Sequence, residues 1–499
     1  MPESIMEKSE IKEFYKDTKI FITGATGFVG KTLIEKLLRT TEPHTIYILM
    51  REKKGKTINE RLKKIFENPV FDILKTINPD FSLKIKTING ECGAQGLGIS
   101  DKDKSELINN VNIIFHAAAS VNFDENLKSA FDINFDGIRS VINIAKETKH
   151  LKSLLFVSTA YSNCIEDSVI QEKVYEYPYD DVIKELEMLS KEKAELVRDK
   201  IIGNWPNTYT YTKALAEILA KREKANMPIG IFRPSIITST YREPKPGWID
   251  NIYAVNGVAL GLMTGFLRVM RGDPNLIADI VPVDMCIAAM ISSAKEIAGT
   301  KYDKEITVYN YVSRNENPIT FDLFKYLNCT FGVPSNKALW YPRFIYASND
   351  FTCNILSFIL HIVPAILMDT LALLTGNKPV LVSLYRKFFK FSSKVTFFGT
   401  KEFQFDNNNV QTMWKKLNKT DRELFPFSMS SMSWLLFCKN YSLGFRRYIL
   451  KEDDSMLAQA FTKLYRFQIA HYMMKASIVF GICVFIYLQL SKLWNIFVN

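Results

Sequence analysis

The stretch KIFITGATGFVGKTLIEKLL, residues 19–38, decides the fold. It opens with an apolar strand-like run, KIFIT, turns at Gly24, Gly27 and Gly30, and continues as TLIEKLL with apolar residues at helical spacing. Glycines so placed allow a tight turn, let backbone approach a pyrophosphate and let helix pack on strand, with the phosphates at the helix N-terminus. The spacing is G-x-x-G-x-x-G rather than G-x-G-x-x-G, but the strand before it and the helix after it supply the required context. Thr23, Gly24, Thr26, Gly27, Phe28, Val29 and Gly30 are therefore the expected cofactor-binding residues of the turn.

Outward from this unit the rhythm repeats. The runs TIYILM (45–50), VNIIFHAA (111–118), SLLFVST (153–159) and IGIFRPS (229–235) alternate with longer amphipathic stretches. Buried parallel strands joined by crossover helices produce this pattern, so residues 18–345 are expected to form a doubly wound α/β domain. No internal repeat of fixed period suggests a solenoid or propeller. Residues 1–17 are a polar N-terminal segment without the apolar core of a secretory signal.

The α/β rhythm fades after about Tyr341, and residues 351–455 are expected to be a mostly helical domain. Within it, FTCNILSFILHIVPAILMDTLALL (351–374) is apolar but carries His361, Pro364 and Asp369, which suits an amphipathic or membrane-surface segment better than a clean span. Residues 469–493 are a candidate transmembrane tail. Ala476 to Ser491 holds no charge, Lys475 and Lys492 can snorkel, and Tyr472, Tyr487 and Trp494 are interfacial types. A buried C-terminal helix is the alternative. Cations precede the run, which places the large N-terminal part in the cytosol.

Of the formal charge of +11, most sits between Gly376 and Lys475, where 17 Lys/Arg face 7 Asp/Glu. Beside an apolar tail such an excess fits a membrane surface or a phosphorylated ligand, and nothing in the spacing suggests nucleic acid. The seven cysteines lack a C-x-x-C pair, which points to reduced thiols and to no metal site.

The second strand ends at Arg51, about twenty residues past the last glycine, where an acidic residue would grip a ribose 2′-hydroxyl. A cation there suits a 2′-phosphate, so NADPH is the expected cofactor. Lys53, Lys54 and Lys56 beyond it fit a solvated loop. In Tyr209-Thr210-Tyr211-Thr212-Lys213, Tyr209 and Lys213 stand four apart on one helical face, where an ammonium ion can favour phenolate and make the tyrosine a usable proton donor. Upstream, Thr159 is the expected hydroxyl for the substrate oxygen and Ser158 its substitute. Thr159, Tyr209 and Lys213 are the expected catalytic residues, with Tyr209 and Lys213 also touching cofactor. His116 is expected to support the cleft rather than act as a base, and Asn134 to hold backbone or water near Lys213 or simply a turn. His361 and His471 are assigned no chemistry.

Taken together, the glycine turn, Thr159 and the Tyr209/Lys213 pair resemble the extended short-chain dehydrogenase/reductases. More narrowly, TGATGFVGK (23–31), FHAAASVNFDE (115–125), VSTAYSN (157–163), NTYTYTKALAE (207–217), EPKPGWIDN (243–251), DIVPVDM (279–285) and GFRRYILKE (444–452) resemble the animal, particularly insect, fatty acyl-CoA reductases, in the same order. The resemblance implies NADPH-dependent reduction of a long-chain fatty acyl-CoA to a fatty alcohol through an aldehyde, by a Rossmann domain followed by a helical domain. It also implies membrane lipid as a neighbour and the endoplasmic reticulum or peroxisome as location. Two positions depart from the family pattern: Glu91 stands in INGECG where an aspartate is expected, and VTFFGTKEFQFDN, with Lys401 and Phe403, is a loose match to the C-terminal motif. The competing possibilities are an NADP-dependent sugar-nucleotide or steroid oxidoreductase and a non-catalytic cofactor-binding scaffold.

Overall fold

The computed structural model describes residues 7–53, 55–300 and 305–498. Seven strands, β1 (Lys19–Thr23), β2 (Thr45–Met50), β3 (Ile85–Asn89), β4 (Ile113–His116), β5 (Ser153–Val157), β6 (Ile229–Pro234) and β7 (Thr307–Tyr311), form one parallel sheet in the order β7-β6-β5-β4-β1-β2-β3. Both faces are apolar because both are covered: Ile20 and Ile22 of β1 enter one core, and Phe21 between them enters the other. Helices Phe28–Thr40 and Val283–Ala298 cover the first face, and Gly137–Glu147 and Thr208–Arg222 the second. Strand order reverses at β1, whose chain leaves toward β2 while β4 lies on its other side. The crevice at the carboxyl ends of β1 and β4 is where doubly wound sheets bind ligands.

The division at residue 345 follows chain order, whereas the packing is continuous across it. Val410, Met413, Phe437 and Tyr441 from the later helices join the same core as β1. The N-terminal segment also contributes: Glu10–Tyr15 is a helix whose Ile11 and Tyr15 are fully buried, with Tyr15 OH donating to Ile291 O at 2.9 Å. Ser9 just before it donates to the Asp421 carboxylate, 412 residues away.

Among the described residues, two helical stretches are long and apolar enough to cross a membrane, Asp350–Leu374 and Asp454–Asn495. The first contains a wide π turn, Phe358–Ile362, directly before Pro364, which sits in the opening turn of the next helical piece where its missing N–H does least harm. The second opens with a 3₁₀ turn, Asp454–Met456, and continues as one helix, Leu457–Val498, whose apolar side chains are exposed over most of its length.

Candidate active site

The glycine turn is built by close approach. Gly24 has φ +75°, and a Cβ there would lie 2.6 Å from Ala118 N, on the chain leaving β4. A Cβ on Gly30 would meet Gly24 O at 2.2 Å, so the helix sits directly on the turn. Gly27 donates to Gly24 O at 3.0 Å and starts helix Phe28–Thr40 without a side-chain cap. This cradle, with open N–H groups at a helix start, fits a dinucleotide pyrophosphate.

The neighbouring side chains divide. Thr26 is half-exposed at the turn. Thr23 is buried, with its hydroxyl 2.8 Å from His116 Nδ1, which ties the ends of β1 and β4 together. Phe28 stacks on Trp248 at 5.1 Å, and Val29 packs against the core. Burial, followed by the nearby Lys213 cation, pushes His116 down to about 3, so it is neutral and braces the crevice rather than serving as a base. Arg51 is exposed just after β2 and pairs with Glu91, the residue that departs from the family pattern. Lys53 and Lys56 form an isolated backbone bridge there, and Lys54 lies outside the described residues.

On the other side of the crevice, Asn207 caps helix Thr208–Arg222 by accepting from Thr210 N at 2.9 Å. The helix presents Tyr209, Lys213 and Glu217 at successive four-residue steps. Lys213 is buried, donates from Nζ to Val157 O at 2.8 Å and lies 4.7 Å over the Phe156 ring, fixed to the end of β5. Thr159, two residues beyond β5, accepts from Tyr161 N at 3.2 Å and lines the same cleft as Tyr209. The three expected catalytic residues thus meet where β5 ends.

Their electrostatics differ from the expectation that Lys213 acidifies the phenol. Burial pushes Tyr209 up to about 12, with the Thr159 hydroxyl pulling it partly back and Glu217 raising it. Lys213 is pushed down to about 7, again first by burial, with Glu217 and Cys92 acting the other way. Loss of water dominates both groups, and the ammonium is spent on the Val157 carbonyl. Because the folded chain holds the Lys213 proton less tightly than the unfolded chain, whose lysine titrates near ~10.4, its penalty on stability is complete below about 7 and fades as pH rises toward that unfolded value. Lys213→Met is therefore expected to melt above the native protein at pH 7 and below, with the gap closing toward the unfolded lysine pKa. Parallel thermal melts across that range test this.

Ser158 does not compete with Thr159. It donates to Glu217 Oε1 at 2.5 Å, beside Ser162 at 2.9 Å, and Arg233 of β6 clasps the same carboxylate through Nε at 2.9 Å and a second nitrogen at 2.6 Å. This buried cluster holds the Thr159 turn and was not anticipated. Its only sequence trace is a glutamate one helical turn after Lys213 and the arginine of FRPS. Asn134 reaches the same helix by donating to Thr212 Oγ1 at 3.0 Å while accepting from Ser120 N at 2.8 Å, so it holds backbone beside Lys213. Lys401 donates to Cys164 O and Asp167, and Phe403 and Phe405 set their rings edge-on to Tyr161, closing the outer side of the Thr159 turn.

Thr159 and Tyr209 also line an apolar cleft that is partly open to solvent. Helix Val255–Met263 forms one wall, Phe321 and Phe324 another, and Val395 and Phe398 of helix Leu381–Thr400 a third. Among the described residues no cluster of His, Cys, Asp and Glu could hold a metal ion.

A glycine cradle at the switch point, with a Thr-Tyr-Lys group facing it across the crevice, defines an oxidoreductase that uses a nicotinamide dinucleotide. Comparison with known proteins narrows this class. Two family models, both described as male sterility protein, match residues 22–290 and 360–452. The chain is 41% identical to the Drosophila melanogaster fatty acyl-CoA reductase wat, over 94% of this chain and 91% of that protein. It is 35% identical to human fatty acyl-CoA reductase 2, over 94% and 92%. The chain belongs to the fatty acyl-CoA reductase family. The fold is shared with the terminal reductase domain of the myxalamid biosynthetic pathway, at a TM-score of 0.58 and 20% identity over 88% of this chain and 93% of that one.

Proposed function

We propose that the protein reduces long-chain fatty acyl-CoA to the fatty alcohol with two molecules of NADPH, through an aldehyde. The observation that carries the reading is the junction of the Thr159–Tyr209 pair with an apolar cleft. Each buried methylene of an acyl chain is worth roughly 0.8 kcal/mol there. A sugar nucleotide has no use for such a cleft.

A nicotinamide held by the glycine cradle would supply the hydride that the carbonyl carbon takes up. Thr159 and Tyr209 hydrogen-bond the thioester oxygen as it gains negative charge, and Tyr209 delivers a proton to it. The resulting hemithioacetal loses CoA as its thiol and leaves the aldehyde. In a second round the carbonyl oxygen of the aldehyde takes the Tyr209 proton and becomes the alcohol hydroxyl. Between rounds the Tyr209 phenolate regains its proton from water, and Lys213, held at Val157, would bind the nicotinamide ribose. A carbonyl oxygen that gains charge is a stronger acceptor than Thr159 alone, which supports a phenol of high pKa acting as donor. The membrane-facing part of the reading rests on the C-terminal apolar helix, with the catalytic body in the cytosol on the surface of the endoplasmic reticulum or peroxisome.

Incubation with palmitoyl-CoA and NADPH, with lipid analysis, tests the function: hexadecanol is the expected product. Cofactor oxidation only with a sugar nucleotide or sterol, or binding without turnover, would overturn it. For cofactor choice, Arg51→Ala is expected to raise the KM for NADPH by roughly tenfold and to leave that for NADH nearly unchanged, since a charge-assisted phosphate contact is lost. Equal effects on both cofactors would remove Arg51 from phosphate recognition.

A further inference from the structure

Residues Asp350–Leu374 and Leu381–Thr400 form a helical hairpin whose inner face is fastened to the body and whose outer face is bare. His361 Nε2 accepts from Arg268 N at 2.9 Å, Tyr385 OH donates to Phe266 O at 2.7 Å, and the Tyr385 ring stacks on Phe266 at 4.3 Å. The features that make this stretch look unlike a spanning helix are all consumed internally. His361 is buried in that contact, Pro364 follows the π turn, and the Asp369 carboxylate accepts from Val380, Leu381 and Val382 N at 2.9–3.0 Å to cap the second helix. What remains outside the first helix is mostly apolar: Phe358, Leu367, Leu371 and Leu374 are 58%, 66%, 53% and 81% exposed, beside the polar Asn354 and Thr370.

The root of this hairpin is also the root of the C-terminal helix. The Arg268 guanidinium lies 5.5 Å over the Trp340 ring, and Trp340 Nε1 meets His471 Nδ1 at 3.2 Å at the point where the long apolar helix leaves the body. A bilayer that takes up that helix therefore comes up against the hairpin. Arg386, Lys387 and Lys390 are exposed along the second helix, suited to phosphate headgroups, and farther along the same helix Val395 and Phe398 line the acyl cleft.

We propose that the 350–400 hairpin lies in the outer part of an anionic leaflet as a second membrane contact, and that acyl chains pass between lipid and cleft along its second helix. The passage rests on the acyl-CoA reductase reading, whereas the contact does not. The full chain carrying Leu371→Cys, reconstituted in phosphatidylcholine vesicles containing phosphatidylserine, is treated with a membrane-impermeant maleimide and the site read by peptide mass spectrometry. Lys102→Cys, on the exposed face of a distant helix, is the reference. Labelling at 371 is expected to fall roughly tenfold below the reference in vesicles and to recover in detergent. Equal labelling at both sites overturns the contact, and protection that persists in detergent assigns the face to a second copy of the chain and also overturns it.

The passage is tested with Leu367→Asp/Leu371→Asp. The KM for palmitoyl-CoA presented in vesicles is expected to rise roughly tenfold, with turnover of octanoyl-CoA in detergent unchanged. An unchanged KM in vesicles overturns the passage. If the native chain turns over neither acyl-CoA, the reductase reading fails and so does the passage, while labelling at 371 still decides the contact.

Discussion

Tyr209→Phe is expected to keep the chain folded and able to bind NADPH while turnover with palmitoyl-CoA falls by about 10²–10⁴, the range a positioned general acid contributes. The phenol is half-buried between Phe123, whose ring lies 6.0 Å away, and the Thr159 hydroxyl. Phenylalanine preserves that ring packing. Thr159 still caps the turn by accepting from Tyr161 N, so the change in stability should stay within about 1 kcal/mol, the net value of one hydrogen bond. Cofactor titration by fluorescence, a thermal melt and an acyl-CoA assay on one preparation separate the outcomes. Activity retained within a few-fold would remove Tyr209 from proton delivery.

The largest effect on stability is expected at Arg233. Its guanidinium and the Glu217 carboxylate are 0% and 1% exposed, and the same arginine also donates to Gln171 O and Lys173 O. Arg233→Met strands a carboxylate among Ser158, Ser162 and Asn163, at a cost of about 3–5 kcal/mol. Replacing both partners, Arg233→Met with Glu217→Leu, is expected to recover part of this, because the stranded charge is gone although the serines lose their acceptor. Denaturant midpoints for the three proteins measure it. A single substitution costing under about 1 kcal/mol would show the pair to be solvated. Since Ser158 precedes Thr159, the single variant should also lose activity before it loses its secondary structure.

What the sequence made legible is local. The glycine turn, the strand runs and the Tyr209–Lys213 spacing are fixed by residues within a few positions of one another, and the sheet places Thr159 beside Tyr209 as the strand-end argument expects. The parts that escaped are set by distant partners. Nothing in ALAEILAKR says that Glu217 faces Arg233, or that Lys213 donates to Val157 O rather than standing beside the phenol. Burial then reverses the expected electrostatics, an effect of surroundings rather than spacing. In the hairpin, Asp369 counts against a spanning helix, and its three N–H partners, which cap the second helix, lie beyond what the sequence shows.

The bond between Ser9 and Asp421 also has a bearing on how the chain is made. A ribosome releases the first helix long before its partner exists, so Ile11 and Tyr15 must wait, uncovered, while more than four hundred residues are added.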